Sequence, residues 1–552
     1  MAVFGKAGES LMVRSIGITG SLILPLVFCC SAAAQQRTEP AAEARPFFQT
    51  SDRCLACHNG VSTPSGEDIS IGFNWRATMM ANSSRDPYWQ AGVRREVSDH
   101  ASSRAAIEDE CAICHMPMAR SESHSAGRDG QVFAHLAFDP GKPSDRLAAD
   151  GVSCSLCHQI SSAGLGLRES FAGRFVIDVT RPATERAVYG PFEIDPGRTR
   201  IMRSSSGFRP TEAKHIRQSE LCATCHTLYT KALGAQGQVI GELPEQMPYA
   251  EWLHSDYREK QSCQACHMPV VKGEVPITAI LGKPREGVSR HTFVGGNFFM
   301  LRMLNRYRNE LSVAALPEEL ESAAVRTVES LQTQTARIAI QRVELRAGRL
   351  DAEVSVENLA GHKLPTGYPS RRVWIHFLVR ERNGHTVFES GALTAQGLIQ
   401  GNDNDADAGR YEPHYNEISS GEQVQIYESI MGDRQGVPTT GLLSAVRFLK
   451  DNRLLPVGFN KNTAGPDIAV QGGALGDPDF TGAGDRVVYS APLGNSTGPY
   501  IIEAELRYQP IGYRWAANLQ QYEAAETRRF TTYYDAMAST SAITLARGIG
   551  SK

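Results

Sequence analysis

Five times the chain sets two cysteines three positions apart with a histidine directly after the second. The sets are Cys54, Cys57 and His58; Cys111, Cys114 and His115; Cys154, Cys157 and His158; Cys222, Cys225 and His226; and Cys263, Cys266 and His267. Thiols and imidazoles bind metals and metal-bearing cofactors. Paired C-x-x-C motifs build tetrahedral zinc sites, and four cysteines hold iron–sulfur clusters. Neither chemistry asks for a histidine after every pair. A thioredoxin-like redox site uses one C-x-x-C near a βαβ pattern, which five copies do not fit. C-x-x-C-H is the attachment sequence of c-type haem. Two intervening residues make one turn, so both sulfurs reach the same porphyrin edge and add to its vinyl groups. The next residue brings its imidazole under the iron. The spacing predicts five covalently bound haem c groups, with His58, His115, His158, His226 and His267 as proximal ligands.

The chain has 12 cysteines, and the remaining two, Cys29 and Cys30, lie in the opening "MAVFGKAGESLMVRSIGITGSLILPLVFCCSAAAQQ". Lys6 and Arg14 precede a largely apolar run from Ile16 to Cys30, and "SAAAQ" offers a small-residue cleavage site after Ala34. Residues 1–34 read as a secretory signal peptide. A lipid-modified cysteine wants a small residue before it, whereas Phe28 precedes Cys29. A membrane anchor wants about 20 apolar residues. Cleavage leaves every cysteine of the mature chain inside a C-x-x-C-H motif and none for a disulfide. No later apolar run is long enough to span a bilayer. The expectation is an exported protein without a transmembrane span, in the periplasm or on the outer surface of a bacterial cell.

Of 15 histidines, ten are not proximal. A second imidazole on each iron would use five of them. His100, His135, His215, His254 and His291 are the distal candidates. His215 and His254 come shortly before a motif, and His291 sits in "SRHTFVGGN", where glycines allow close backbone approach. His124, in the polar stretch "RSESHSAGRDG", and His362, in "AGHKLPTGYPSRRVW", are alternates. Met79 and Met80 offer a thioether, a ligand that raises the haem potential.

The elements that must position these residues divide the 552-residue chain. With 41% hydrophobic and 21% charged residues, its composition is that of ordinary globular domains. Residues 35–296 read as a pentahaem domain. Short helices are expected at "AAIEDECAICH" and "YAEWLHSDYREKQSCQACH", joined by connections rich in Gly, Ser and Pro. Residues 297–345 read as a helical segment, with Pro317 at a helix start. In "GRLDAEVSVENL" Leu350, Ala352, Val354 and Val356 alternate, and "RRVWIHFLVRERNGHTVFES" reads as two strands around Asn383-Gly384. "EQVQIYESIM" and "GPYIIEAELRYQP" are further strands. Residues 346–552 are therefore expected to be a β-sandwich-like domain with a C-terminal helix near "YRWAANLQQYEAAETRRF". The fold class is α+β: a haem-organised, mostly helical and irregular domain followed by that β-domain.

The formal net charge is −3. Loss of Lys6, Arg14 and Glu9 leaves about −4, and five ferric haems at about −1 each bring the whole to roughly −9. That balance disfavours nucleic acid and favours redox partner proteins with basic patches. "GNDNDADAGRYEPHY" sets Asp403, Asp405 and Asp407 at alternate positions, which suits Ca²⁺, although Gly409 is displaced from the EF-hand glycine position. A solvated acidic loop is the other reading.

The five motifs, with "DGVSCSLCHQI", "SELCATCHTLYT", "SCQACHMPV", "SRHTFVGGN" and "GHKLPTGYPSRRVW", resemble the multihaem cytochrome c superfamily. That superfamily includes the tetrahaem electron acceptor of hydroxylamine oxidoreductase and exported cytochromes of metal-reducing bacteria. The resemblance runs from about residue 50 to 380. It implies closely packed haems, mostly bis-His ligated, passing electrons along a chain, and it does not fix the partner. Redox partner proteins, a membrane electron conduit among them, are the expected partners. The alternative is a multihaem oxidoreductase acting on a small nitrogen or sulfur compound at a five-coordinate haem. The nitrite-reducing relatives use a C-x-x-C-K motif, which this chain lacks.

Overall fold

The computed structural model describes residues 47–182 and 185–552. The expected signal peptide, its cleavage site, Cys29 and Cys30 lie outside the described residues.

In the cysteine-rich half the helices are short: α1 (Asp52–Leu55), α2 (Ile71–Arg76), α3 (Pro87–Asp99), α4 (Arg104–His115), α5 (Pro117–Ser125) and α6 (Pro143–Ala149). They continue as α7 (Cys154–Cys157), α8 (Pro196–Ser206), α9 (Ser219–His226), α10 (Pro248–Leu253) and α11 (Cys263–His267). Proline opens α3, α5, α6, α8 and α10, where the first turn needs no N–H from it. Asp86 caps α3 by accepting from the N–H groups of Tyr88 and Trp89. The motif cysteines lie on α1, α4, α7, α9 and α11 or directly beside them. "AAIEDECAICH" is helical as expected. "YAEWLHSDYREKQSCQACH" breaks into α10, a 3₁₀ turn and α11. Two ribbons interrupt the helices. β1 (Ala187–Gly190) pairs parallel with β2 (Arg209–Glu212), and β3 (Leu228–Leu233) antiparallel with β4 (Val239–Gln246).

Two helices, α12 (Phe298–Arg306) and α13 (Pro317–Gln334), lead into the second half. Helix was expected to residue 345, but it stops at Gln334. Residues Ala336–Arg346 form strand β5 instead. Ile338, Ile340 and Val343 favour the extended chain, and burial alternates from Ala336 to Ile340.

The later strands are β6 (Arg349–Asn358), β7 (Arg372–Glu381), β8 (Thr386–Ser390), β9 (Glu417–Ile418), β10 (Ile426–Tyr427), β11 (Ser429–Gly432), β12 (Arg447–Asp451), β13 (Asp485–Pro492), β14 (Tyr500–Gln509) and β15 (Ile543–Ser551). One sheet runs β5-β6-β13-β9; the other runs β10-β7-β14-β15, with β8 on β7. Their inner faces share a core in which the rings of Phe377 and Tyr489 stack 4.0 Å apart. Leu350, Ala352, Val354 and Val356 all point into that core. Short helices α14 (Asp403–Ala406), α15 (Tyr513–Ala517) and α16 (Ala525–Asp535) complete the chain, so the expected C-terminal helix is two pieces followed by β15.

The helical and sandwich regions share one core. Met247, Phe298, Leu320, Val354 and Phe377 belong to one buried cluster, and residues 46–552 form one unit. Among the described residues, no helix is long and apolar enough to cross a membrane.

Candidate cofactor site

A cavity of about 1280 Å³ runs through the cysteine-rich half and reaches the sandwich. All five motif histidines line it, as do nine of the ten motif cysteines, Cys57 excepted. Thiols and imidazoles therefore surround one largely apolar space, which is the donor set and setting that covalently bound haem requires.

Four of the five motif histidines are oriented by a backbone carbonyl. The Nδ1–H of His58 donates to Ile277 (2.7 Å), that of His115 to Ser83 (2.9 Å), that of His158 to Tyr189 on β1 (2.6 Å), and that of His267 to Val294. Each bond fixes the tautomer with the lone pair on Nε2, the state a metal-ligating histidine needs. Trp89 on α3 stacks on the His115 ring, with centroids 4.4 Å apart and planes 2° apart. His226 makes no ring hydrogen bond among the described residues. Burial pushes it, like His115, down to about 4, so both stay neutral.

Two further histidines face motif histidines across the cavity. The ring centres of His158 and His291 are 6.4 Å apart, with planes 18° off parallel. Those of His267 and His362 are 6.2 Å apart, with planes 12° off parallel. A metal–nitrogen bond of about 2 Å on each side, with ~1.1 Å from each nitrogen to its ring centre, gives roughly 6 Å. The two outer rings repeat the carbonyl device: Nδ1–H of His291 donates to Ser289 (3.1 Å) and that of His362 to Lys363 (2.9 Å). Burial pushes His291 down to about 3 and also lowers His158 and His362. Unprotonated imidazoles can ligate.

The other distal candidates lie elsewhere. The Nε2 of His215 bonds the Ile160 carbonyl (2.9 Å), and that of His254 the Asn460 carbonyl (3.1 Å). The Nδ1 of His135 bonds Asp145 (2.8 Å). His100 ends α3 with a buried Nε2 that has no partner. His124 lies 2.7 Å from Asp109, in a mostly exposed group with Asp129. None of these five lines the cavity, whereas Met79 and Met80 both do. Among the described residues, His58, His115 and His226 have no second histidine opposite them.

The calcium expectation meets separate partners. Asp405 takes both guanidinium branches of Arg372 (2.8 Å each), Asp403 pairs with Arg410, and Asp407 accepts the Gly409 N–H. The three carboxylates do not converge on one centre, because each is used to close its own turn or ion pair.

Thiol contacts give the spatial order of the motifs, which the sequence does not contain. Cys54 meets Cys154, Cys114 meets Cys225, and Cys222 meets Cys263. Cys157 lies near both Cys222 and Cys225. The motifs thus run first, third, fourth, fifth, with the second beside the fourth. Gly173 fills the gap between those two. Its N–H donates to Thr224 (2.6 Å), and a Cβ there would meet Ile113 at 2.0 Å.

Sequence reading missed the polar cluster that holds His362. Glu251 on α10 is fully buried; it accepts from the Lys363 N–H (3.1 Å) and Thr366 Oγ1 (2.5 Å) and pairs with Arg453 (2.9 Å). Asp451 on β12 takes Lys363 Nζ (2.7 Å) and Arg453 Nη2 (2.7 Å). Two cations and two carboxylates balance, and they tie the His362 loop to the helix that precedes the fifth motif. Only the run "GHKLPTGYPSRRVW" hinted at such a joint.

No family model matches the chain, and no curated protein does. Among solved structures, the chain is similar to a penta-haem cytochrome c552 from Thermochromatium tepidum. The two share 15% sequence identity and a TM-score of 0.53, over 92% of this chain and 99% of that one. At that identity the likeness is one of fold.

Proposed function

We propose that the chain is an exported pentahaem c-type cytochrome that carries electrons between redox partners. One observation carries this reading: two pairs of carbonyl-anchored imidazoles face each other at 6.4 and 6.2 Å across a thiol-lined cavity. Bound haem would supply one-electron Fe(III)/Fe(II) chemistry. The chain's part would be to hold each group through the two cysteines of its motif, to offer His158 with His291 and His267 with His362 as donors at the third and fifth motifs, and to exclude water from the middle of the series. His158 with His291, and His267 with His362, would both bind the group at those two motifs, which suits electron exchange rather than substrate binding. The run of neighbouring thiols from the first motif to the fifth supports a continuous path.

A second reading rests on the three motif histidines that face no second histidine. It makes one of them the anchor of a five-coordinate group at which a small nitrogen or sulfur compound reacts. Low-temperature EPR of the oxidised protein separates the two. Low-spin signals alone support the carrier. A high-spin signal worth one full haem per chain, lost on adding cyanide, supports the oxidoreductase.

A further inference from the structure

The two ends of the motif series are open to solvent. In the second, third and fourth motifs the residues between the cysteines are buried: Ala112 and Ile113, Ser155 and Leu156, Ala223 and Thr224. In the first motif Ala56 is exposed, and in the fifth Ala265 and Cys266 are exposed. At the first and fifth motifs a partner meets exposed residues of the motif itself.

At the first motif the surface beside the cofactor position has its own design. The loop 277–285 is bonded to the motif itself. Ile277 accepts from His58, and the Cys57 carbonyl accepts from Thr278 Oγ1 (2.9 Å) and the Ala279 N–H (3.0 Å). The loop then exposes two large apolar side chains, Ile280 (51% exposed) and Leu281 (64%). Helix α8 packs alongside: Arg198 Nε donates to the Leu281 carbonyl (2.8 Å). Ile201, three residues further along the same helix face, is 42% exposed. The charges flanking these side chains are unbalanced. Arg198, Arg200, Arg203, Lys283 and Arg285 stand against Glu193, Asp195 and Glu286, in a chain of net charge −3. Arg198 and Asp195 neutralise each other at 2.5 Å. An exposed apolar patch with a charged rim marks a docking surface, and the sign of the rim selects and steers the partner.

We propose that loop 277–285 and α8 form the docking surface for an acidic redox protein that gives electrons to the group on the first motif. The inference rests on the electron-transfer reading. In each encounter the partner's centre loses one electron as one iron here passes from Fe(III) to Fe(II), with no atom or proton exchanged. The patch runs against the whole-chain balance, which is acidic and by itself favours basic partners.

The test uses the haem-loaded protein and oxidised plant-type ferredoxin as the acidic probe, with binding measured by calorimetry at low and physiological ionic strength. Binding is expected to weaken as salt rises. Arg200→Glu with Arg203→Glu should weaken it about tenfold or more at low salt. Ile280→Ser with Leu281→Ser should weaken it at both ionic strengths. Stopped-flow reduction by reduced ferredoxin should fall in parallel, while reduction by dithionite stays unchanged. The surface is overturned if the wild type ignores the probe, if both double variants bind it within twofold of wild type, or if the patch instead drives self-association in sedimentation. Pyridine haemochrome assay keeps the two levels apart: a fully haem-loaded protein that ignores the probe sinks the docking surface alone, and a deficit of haem sinks the reading beneath it.

Discussion

His267 and His362 face each other with ring centres 6.2 Å apart and planes 12° off parallel, and each is turned by a carbonyl on its Nδ1 side. His362 belongs to the loop before β7, so the sandwich brings an imidazole up to the fifth motif in the other half. Replacing His362 by alanine should convert one haem in five from low spin to high spin, visible by EPR. His291→Ala should do the same for the third motif. A spectrum unchanged in either variant would reject that pairing.

The cluster behind His362 makes a second prediction. Glu251, Lys363, Asp451 and Arg453 are buried and mutually paired. Glu251→Gln leaves a buried guanidinium short of one charge, which costs about 3–5 kcal/mol. The denaturant midpoint should fall accordingly, and the fifth-motif haem should show a fraction of high-spin signal as the loop loosens. A midpoint equal to wild type would show that Glu251 supports nothing there.

How much of this was legible beforehand differs by element. The alternation of Leu350, Ala352, Val354 and Val356 gave β6, because period two along a half-buried strand is a local property. The C-x-x-C-H spacing points to anchors and proximal ligands for the same reason: the chemistry it implies lies within one turn. Distal partners are not local. His254 sits shortly before the fifth motif, yet its Nε2 meets the Asn460 carbonyl. His362, far along the chain, meets His267 because β7 and its loop fold back on α10. The strand β5 was read as helix since Ala336 to Leu345 follows a strong helical run without a proline or glycine stop. The order of the motifs in space has no signature in the sequence at all.

Asp485 carries a pH prediction. It lies in the sandwich core, where Tyr427 (2.7 Å) and Gln425 (3.2 Å) donate to it, and it faces His414, Asp477 and Asp479. Burial first, and then those two carboxylates, push it up from 3.8 to about 7. The folded chain thus keeps a proton that the unfolded chain releases. Stability from this group is full below pH 3.8 and is lost as pH rises to about 7. The loss is at most about 4 kcal/mol. Asp485→Asn should flatten that fall in chemical denaturation between pH 5 and 8. A variant with the wild-type slope would assign the pH dependence to another group.

The most direct measurement is the intact mass of the native protein, taken under denaturing conditions so that only covalent groups remain. Five porphyrins linked through ten cysteines predict a mature chain heavier by five haem groups, with no free thiol. A chain carrying none, or with its C-x-x-C-H thiols free to alkylate, would contradict the account at its base.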